Sequence, residues 1–273
     1  MLARSALLFL ATLTLGSPTT AGESDWNVDL ATALEAARET DKDLLIDFTG
    51  SDWCKWCIEL KKEVFSQEAF LDYARDEYVL VKLDFPTPGG EAHKAIAPEQ
   101  RARNQRYHDE LGVANRFPTI LLMTPEGVAY ARTGYQPGGP PAYERHLESL
   151  RNGPGRKAIQ QALDLFEGDP DNAKGERVAA AHELIWRSTV DMREAVLEAL
   201  RQHDKADSQL ILANMGMQAF IDANFRTRDL DWPAIRKNAL ELAEATPSID
   251  GLVSFHMYLA VAYAYTGSPE EMA

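Results

Sequence analysis

The chain has 273 residues, of which 28 are Lys or Arg and 42 are Asp or Glu, so its formal net charge is −14 at pH 7. This acidic balance disfavours nucleic acids and anionic lipid surfaces as partners. Hydrophobic residues make up 45% of the chain, which is enough for one or two ordinary cores.

Residues 1–21 are typical of a secretory signal peptide. They contain Arg4, an uncharged apolar run from Ala6 to Leu15, and small residues that end at Ala21. A run of this length spans about 15 Å as a helix, too short for a hydrocarbon core of about 30 Å. We therefore expect an exported protein, periplasmic or secreted, with no membrane span in the mature chain.

The next part of the chain alternates between helical and strand patterns. Apolar residues at helical spacing or in short β-branched runs mark each element. Helices are predicted at 29–40, from Cys54 to about Phe65, in the polar segment before Arg116 and at 141–150, and strands at 43–48, 78–85, 119–123 and 128–131. The order αβαβαββα predicts an α/β fold with a central mixed sheet and helices on both faces.

Cys54 and Cys57 are the two cysteines of the chain, in the segment "FTGSDWCKWC". As a structural staple they would close a very short loop, a contribution of roughly 2 kcal/mol. A structural zinc site needs four ligands, and the six histidines are scattered without a closely spaced pair. A redox-active dithiol is therefore favoured over both, and we expect no metal and no cofactor.

Three segments together resemble a known family: "LLIDFTGSDWCKWC", "VLVKLDF" and "RFPTILLMTPEGV". They are similar to the thioredoxin fold, and more closely to its exported thioredoxin-like branch, over residues 26–150. The resemblance implies a redox-active dithiol at a helix start, a facing cis proline and a buried acid. Carried over to this sequence, it implies Cys54 as nucleophile, Cys57 as resolving thiol, Pro118 as the cis proline, Asp47 as the buried carboxylate and Lys82 as its ionic neighbour.

The chemistry expected of these residues follows from their surroundings. A helix start favours a Cys54 thiolate, and its attack on a disulfide gives a mixed disulfide that Cys57 resolves. We expect Cys54 to be exposed and Cys57 to be shielded. Asp47 is the candidate base for the Cys57 proton, with a pKa raised by burial and opposed by Lys82. The alternative, an acid at a strand edge that points to water, stays open.

Four further residues are predicted to contact the substrate. A cis bond at Pro118 would expose the backbone of Phe117 to a substrate strand. Trp53 and Trp56 flank the cysteines, and at least one should be exposed as an apolar contact surface. Lys55 beside Cys54 favours a more oxidising couple. Asp52, which acts the other way, is expected to turn to solvent, and the direction of electron flow stays open.

After "RNGPGRK" (151–157) nearly all of the sequence has helical patterns. We predict a thioredoxin-like domain at 24–150 and an all-α domain at 151–273, with Met215, Met217 and Phe220 in its core. Residues 258–273 resemble the first helix and turn of a tetratricopeptide repeat. This domain is predicted to be either a client-binding platform or a helical support for the first domain.

These observations predict an exported thiol–disulfide oxidoreductase that acts on protein disulfides or thiols together with an unidentified redox partner. The alternative is a non-catalytic binding or scaffold protein, in which the helical domain recognises partners and the dithiol is vestigial or regulatory. The combination of two cysteines, a facing proline and a strand carboxylate favours the enzyme.

Overall fold

The computed structural model describes residues 23–113, 116–168, 174–203, 213, 215–217, 220–221 and 231–245. The predicted signal peptide at 1–21 and the tetratricopeptide-like segment at 258–273 lie outside the described residues. The chain divides into two compact units between Gly153 and Pro154, within the segment "RNGPGRK".

The first unit contains a mixed sheet. Its strands are β1 (Trp26–Asn27), β2 (Asp43–Thr49), β3 (Tyr78–Asp84), β4 (Thr119–Met123) and β5 (Ala129–Thr133). They lie in the order β1-β3-β2-β4-β5, with β1, β3 and β2 parallel and with β4 and β5 joined by antiparallel pairing. Because β2 is central and buried along its whole length, its sequence is a nearly continuous apolar run.

Helices accompany the strands of the first unit. They are α1 (Leu30–Thr40), α2 (Lys55–Leu60), α3 (Glu68–Glu77), α4 (Glu91–Ala95), α5 (Pro98–Glu110) and α6 (Gly139–Arg151). A π-helical turn, Lys61–Phe65, follows α2 directly. The predicted inward stripe of this region is confirmed, because Cys57, Leu60, Val64 and Phe65 are all buried.

The predicted element order is incomplete in three places. The structure adds the short strand β1, divides the polar helix into α4 and α5, and adds α3. The signal for α3 was present, because Phe70, Leu71 and Ala74 are buried at helical spacing. β1 has two residues, too few for a periodic pattern.

The two faces of the sheet carry different cores. On one face, residues of α1 and α5 pack with Ile46 and Phe48 of β2. Because side chains alternate along a strand, Asp47 lies on the opposite face. Burial and the nearby Asp47 raise the pKa of Tyr143, so α6 lies on the Asp47 face. The predicted sheet with helices on both faces is confirmed.

The second unit is helical in its described part. Its helices are α7 (Pro154–Glu167), α8 (Lys174–Arg187), α9 (Val190–His203) and α10 (Trp232–Ala245). α7 packs on α8, and α8 packs on α9. Met217 and Phe220 are buried against Ile235 of α10, as predicted, whereas Met215 is only partly buried. The predicted helical region after the sheet domain is thus confirmed.

Candidate active site

The cysteine pair lies where β2 leads into α2. Cys54 is the N-cap residue of α2, and its sulfur accepts the backbone N–H of Cys57 at 3.2 Å. A disulfide joins the two residues, with their Cα atoms 5.2 Å apart. The predicted position at a helix start is therefore confirmed.

The expected difference in exposure between the two cysteines is wrong for this oxidised form. Cys54 is 5% exposed and Cys57 is 3% exposed. Because the disulfide holds both sulfurs in the first helical turn, neither residue projects into solvent. Exposure therefore does not distinguish attacking from resolving sulfur in the disulfide state.

Asp47 is a buried carboxylate in the central strand. It is 7% exposed, and its Oδ1 atom accepts no hydrogen bond from any described residue. Burial raises the pKa of Asp47 to about 7, against the attraction of Lys82, while the charge of Asp84 adds to the rise. The alternative of an acid that points to water is excluded.

Lys82 and Asp47 face each other in the register of β3 and β2. The ion pair that Lys82 forms is with Asp84, at 3.7 Å between Nζ and Oδ2. Lys82 pairs with Asp84 because both side chains lie on the same face of β3, two residues apart. Lys82 therefore attracts Asp47 over a longer distance. This agrees with the expected ionic neighbour, whose charge opposes the rise in the pKa of Asp47.

Asp84 also positions the turn before the cysteines, a role that the sequence analysis missed. Its Oδ1 atom accepts the backbone N–H of Ser51 at 3.0 Å. The alternation of Lys82 and Asp84 with buried Leu83 could have indicated that the two charges share a face. The contact with Ser51 joins segments 33 residues apart, so no local pattern indicates it.

Trp53 is held in place although its side chain is half-exposed. The residue is 51% exposed, its Nε1 donates to the carbonyl of Phe85 at 2.8 Å, and its ring meets the ring of Phe117 edge-on at 5.4 Å. Gly50 lies directly beneath the indole, because a Cβ atom there would be 2.5 Å from Trp53 Cε2. Gly50 is thus a second site residue that the sequence analysis missed.

Trp56 forms the other exposed aromatic surface and is 50% exposed. Its ring lies 5.0 Å from that of Tyr135, whose hydroxyl donates to Glu63 at 2.7 Å. Lys55 Nζ lies 5.1 Å from the Trp56 ring centroid, in a cation–π contact. The prediction that at least one tryptophan is exposed is confirmed for both Trp53 and Trp56.

Asp52 does not simply turn to solvent, as had been expected. Both of its carboxylate oxygens accept the backbone N–H of Thr87, at 2.9 and 3.2 Å. The carboxylate therefore joins the turn before the cysteines to the loop after β3. The reason is that Thr87 has a backbone donor for which Asp52 is the acceptor.

Pro118 directly precedes β4, at the end of the sheet that carries the cysteines. The Phe117–Pro118 peptide bond is cis, in agreement with the resemblance. Thr119 pairs with Phe48 near the end of β2, so Pro118 and the start of α2 lie at the same end of the sheet. Phe117 is partly buried and packs 5.5 Å from the ring of Phe85.

Within the described residues, no group of His, Cys, Asp and Glu side chains could hold a metal ion. No helix in that part of the chain is long and apolar enough to cross a membrane. The chemistry that the arrangement can perform is exchange between thiols and disulfides, because a cysteine pair lies at a helix start, directly after the strand that holds the buried Asp47 and at the same end of the sheet as the cis proline. Such a site defines a thiol–disulfide oxidoreductase.

Comparisons with known proteins agree with this class. Residues 25–125 match the family model described as Thioredoxin-like. The disulfide bond reductase DsbH of Chlamydia pneumoniae is 33% identical over 132 residues, which cover 48% of this chain and 75% of that protein. A solved structure of a DsbH oxidoreductase is 31% identical, covers 52% of this chain and 94% of its own, and has a TM-score of 0.43.

A second relative is more distant. The thioredoxin-related protein DsbJ of Chlamydia pneumoniae is 26% identical over 109 residues, and the match spans 40% of this chain and 30% of DsbJ. On the match to DsbH, the chain belongs to the thioredoxin-like family. It is a thiol–disulfide oxidoreductase, as its cysteine pair predicted.

Proposed function

We propose that the protein reduces disulfide bonds of polypeptide substrates outside the cytoplasm, through Cys54 and Cys57. The observation that supports this most is the N-cap position of Cys54, whose sulfur accepts the Cys57 N–H. In the reduced protein the same position stabilises a Cys54 thiolate. The proposed direction of electron flow rests on the relative named a disulfide bond reductase.

The proposed reaction has two exchange steps. The Cys54 thiolate attacks one sulfur of the substrate disulfide, and the other substrate sulfur leaves as a thiolate that takes a proton from water. Cys57 then loses its proton to Asp47 and attacks the Cys54 sulfur of the mixed disulfide, which releases the second substrate thiolate. Two electrons pass to the substrate, and the Cys54–Cys57 disulfide forms. A dithiol donor, the unidentified redox partner, then returns the pair to the reduced state.

Asp47 is proposed as the proton acceptor for Cys57, directly or through a water molecule. A pKa of about 7 lets the carboxylate accept a proton near neutral pH and release it afterwards. Lys82 and Asp84 tune this pKa in opposite directions. No hydrogen bond from a described residue occupies Asp47 Oδ1, which leaves that oxygen open to a proton donor.

The substrate is proposed to contact the aromatic surfaces on either side of the disulfide. The exposed indoles of Trp53 and Trp56 offer apolar area beside Cys54. Phe117 and Pro118 directly precede β4, and an extended substrate segment would align beside them. This arrangement favours polypeptide disulfides over small disulfides as substrates, because binding energy from flanking residues adds to the exchange step.

The test of the proposal is the fate of the two single cysteine variants. With insulin as substrate, Cys54→Ser should abolish exchange, whereas Cys57→Ser should accumulate a mixed disulfide that non-reducing electrophoresis and mass spectrometry detect. Asp47→Asn should slow release from the mixed disulfide more than it slows the first attack. Equal trapping by both cysteine variants would contradict the assigned roles.

Export and domain division are further parts of the proposal. We propose that residues 1–21 direct export, that 24–150 form the thioredoxin-like domain, and that 151–273 form the helical domain. The protein expressed with its own N-terminus should be recovered outside the cytoplasm, with the mass expected for a chain that begins at Gly22. For the domain division, limited proteolysis should cut within 151–157. For the export step, recovery of the full-length precursor, residues 1–21 included, in the cytoplasm would refute the proposal.

A further inference from the structure

A cavity of about 440 Å³ lies beside the active site. Part of its wall is aromatic and comes from Trp53, Phe85 and Phe117. Trp53 directly precedes Cys54, and Phe117 directly precedes Pro118, so the cavity adjoins the surface where a substrate disulfide must approach. The hydrogen bond from the Trp53 indole to the Phe85 carbonyl holds this wall in place.

Another part of the wall is polar and comes from α4 and α5. Arg101 and Gln105 lie four residues apart on α5, and His93 belongs to α4. Arg101 uses one nitrogen, Nη1, to donate to the carbonyls of His93 and Ile96. These two bonds fix the guanidinium, because they tie it to the end of α4 and the residue that follows.

The other donors of Arg101, a residue that lines the cavity, are not used by the described residues. Within the described residues, its Nε and Nη2 atoms donate no hydrogen bond, and the guanidinium forms no ion pair. Nε and Nη2 form the edge of the guanidinium that binds a carboxylate through two parallel hydrogen bonds. A fixed guanidinium with this edge open, on a partly buried residue that lines the cavity, has the geometry that binds a carboxylate.

An acidic residue also lines the cavity, but its charge is already engaged. Asp84 accepts the Ser51 N–H with Oδ1 and pairs with Lys82 through Oδ2. Because the charge of Asp84 is paired with that of Lys82, Arg101 is the cationic lining residue that a substrate carboxylate would meet. This local cation contrasts with the chain as a whole, whose formal net charge of −14 repels acidic substrates at long range.

From this arrangement we infer that the cavity is a substrate subsite for an acidic side chain close to the disulfide cysteine of the substrate polypeptide. Glutamate fits best, because its methylene groups would lie against Trp53 and Phe117 while its carboxylate reaches Arg101. The inference rests on the proposed function and specifies its substrate class. The protein would thus prefer polypeptide disulfides that carry Glu near the reacting cysteine.

The inference is tested with two disulfide-bonded peptides that differ by Glu or Gln beside one cysteine. The pre-reduced full chain should reduce the Glu peptide about tenfold faster at low ionic strength, as expected for a hydrogen-bonded charge pair, and added salt should narrow the difference. Arg101→Gln should abolish the preference by slowing the Glu peptide alone. Arg106→Gln, the same change on the same helix outside the cavity wall, should preserve the preference.

A second variant keeps the test valid if the loss of the Arg101 contacts to α4 impairs folding. Gln105→Glu places a carboxylate one helical turn from Arg101 and should occupy the guanidinium, which abolishes the preference. Gln100→Glu makes the same charge change on α5 outside the cavity wall and should have no such effect. A preference that survives Gln105→Glu, or equal slowing of both peptides by Arg101→Gln in a folded protein, would overturn the subsite. Failure of the wild type to reduce either peptide would instead refute the proposed function.

Discussion

Replacing Asp47 by asparagine should stabilise the oxidised protein above neutral pH and have little effect on its pH dependence below pH 4. Burial raises the pKa of Asp47 from 3.8 to about 7. Between these two values the folded state holds a proton that the unfolded state has released. Wild-type stability therefore falls as pH rises through this window, by about 1.4 kcal/mol per pH unit. Asparagine carries no titrating proton and removes this dependence.

The magnitude follows from the width of the window. The shift of roughly three pH units corresponds to about 4 kcal/mol between pH 4 and pH 8. Urea unfolding of both proteins at several pH values, with the disulfide intact so that no thiol titrates, gives the difference in the free energy of unfolding. This difference should grow steadily from pH 4 to about 7 and then become constant. A difference that is the same at every pH would refute the burial argument.

Lys82→Met provides a control with a predicted direction. The positive charge of Lys82 lowers the pKa of Asp47, so its removal should move the upper end of the window to a higher pH. In the Asp47→Asn, Lys82→Met double variant, the fall in stability across this pH window should disappear. If Lys82→Met left the window in place, the longer-range attraction assigned to Lys82 would be wrong.

Two substitutions test the packing around the site and the sheet. Gly50→Ala should displace the Trp53 indole, because a Cβ atom would lie 2.5 Å from it. Loss of the hydrogen bond to Phe85 should lower the free energy of unfolding by about 1 kcal/mol and shift the tryptophan fluorescence. An unchanged fluorescence spectrum would contradict the contact. Tyr130→Phe removes a buried hydroxyl that donates to Asp43 at 2.9 Å; urea unfolding should show a loss of about 2 kcal/mol, and a neutral result would show that this bond does not stabilise the fold.

Most of the elements with local signals were predicted correctly. The apolar run of β2, the helix start at Cys54 and the strand after Pro118 are each visible within a few residues of sequence, because hydrophobic periodicity and turn residues act over short ranges. The α3 helix was missed although Phe70 and Leu71 carried its pattern. Local signals thus account for most of the sheet domain.

The residues missed at the site are those whose partners are distant in the chain. Asp84 meets Ser51 across 33 residues, and Trp53 meets Phe85 across 32. Arg101 is a candidate site residue because it lines the same cavity as Trp53. No spacing rule predicts such contacts, because they depend on how β3 and α5 pack beside the turn after β2.

The sequence by itself determined the chemistry: two cysteines at Cys-x-x-Cys spacing, after a buried strand and at a helix start, indicate a redox dithiol because the amide groups of a helix start favour a thiolate. Only the tertiary structure decided the state of Asp47. Its pKa depends on burial by elements far apart in the chain, and on Lys82 and Asp84, which the parallel pairing of β3 with β2 brings alongside. Desolvation and charge act through space, so the fold had to be known before that carboxylate could be assigned a pKa near neutrality.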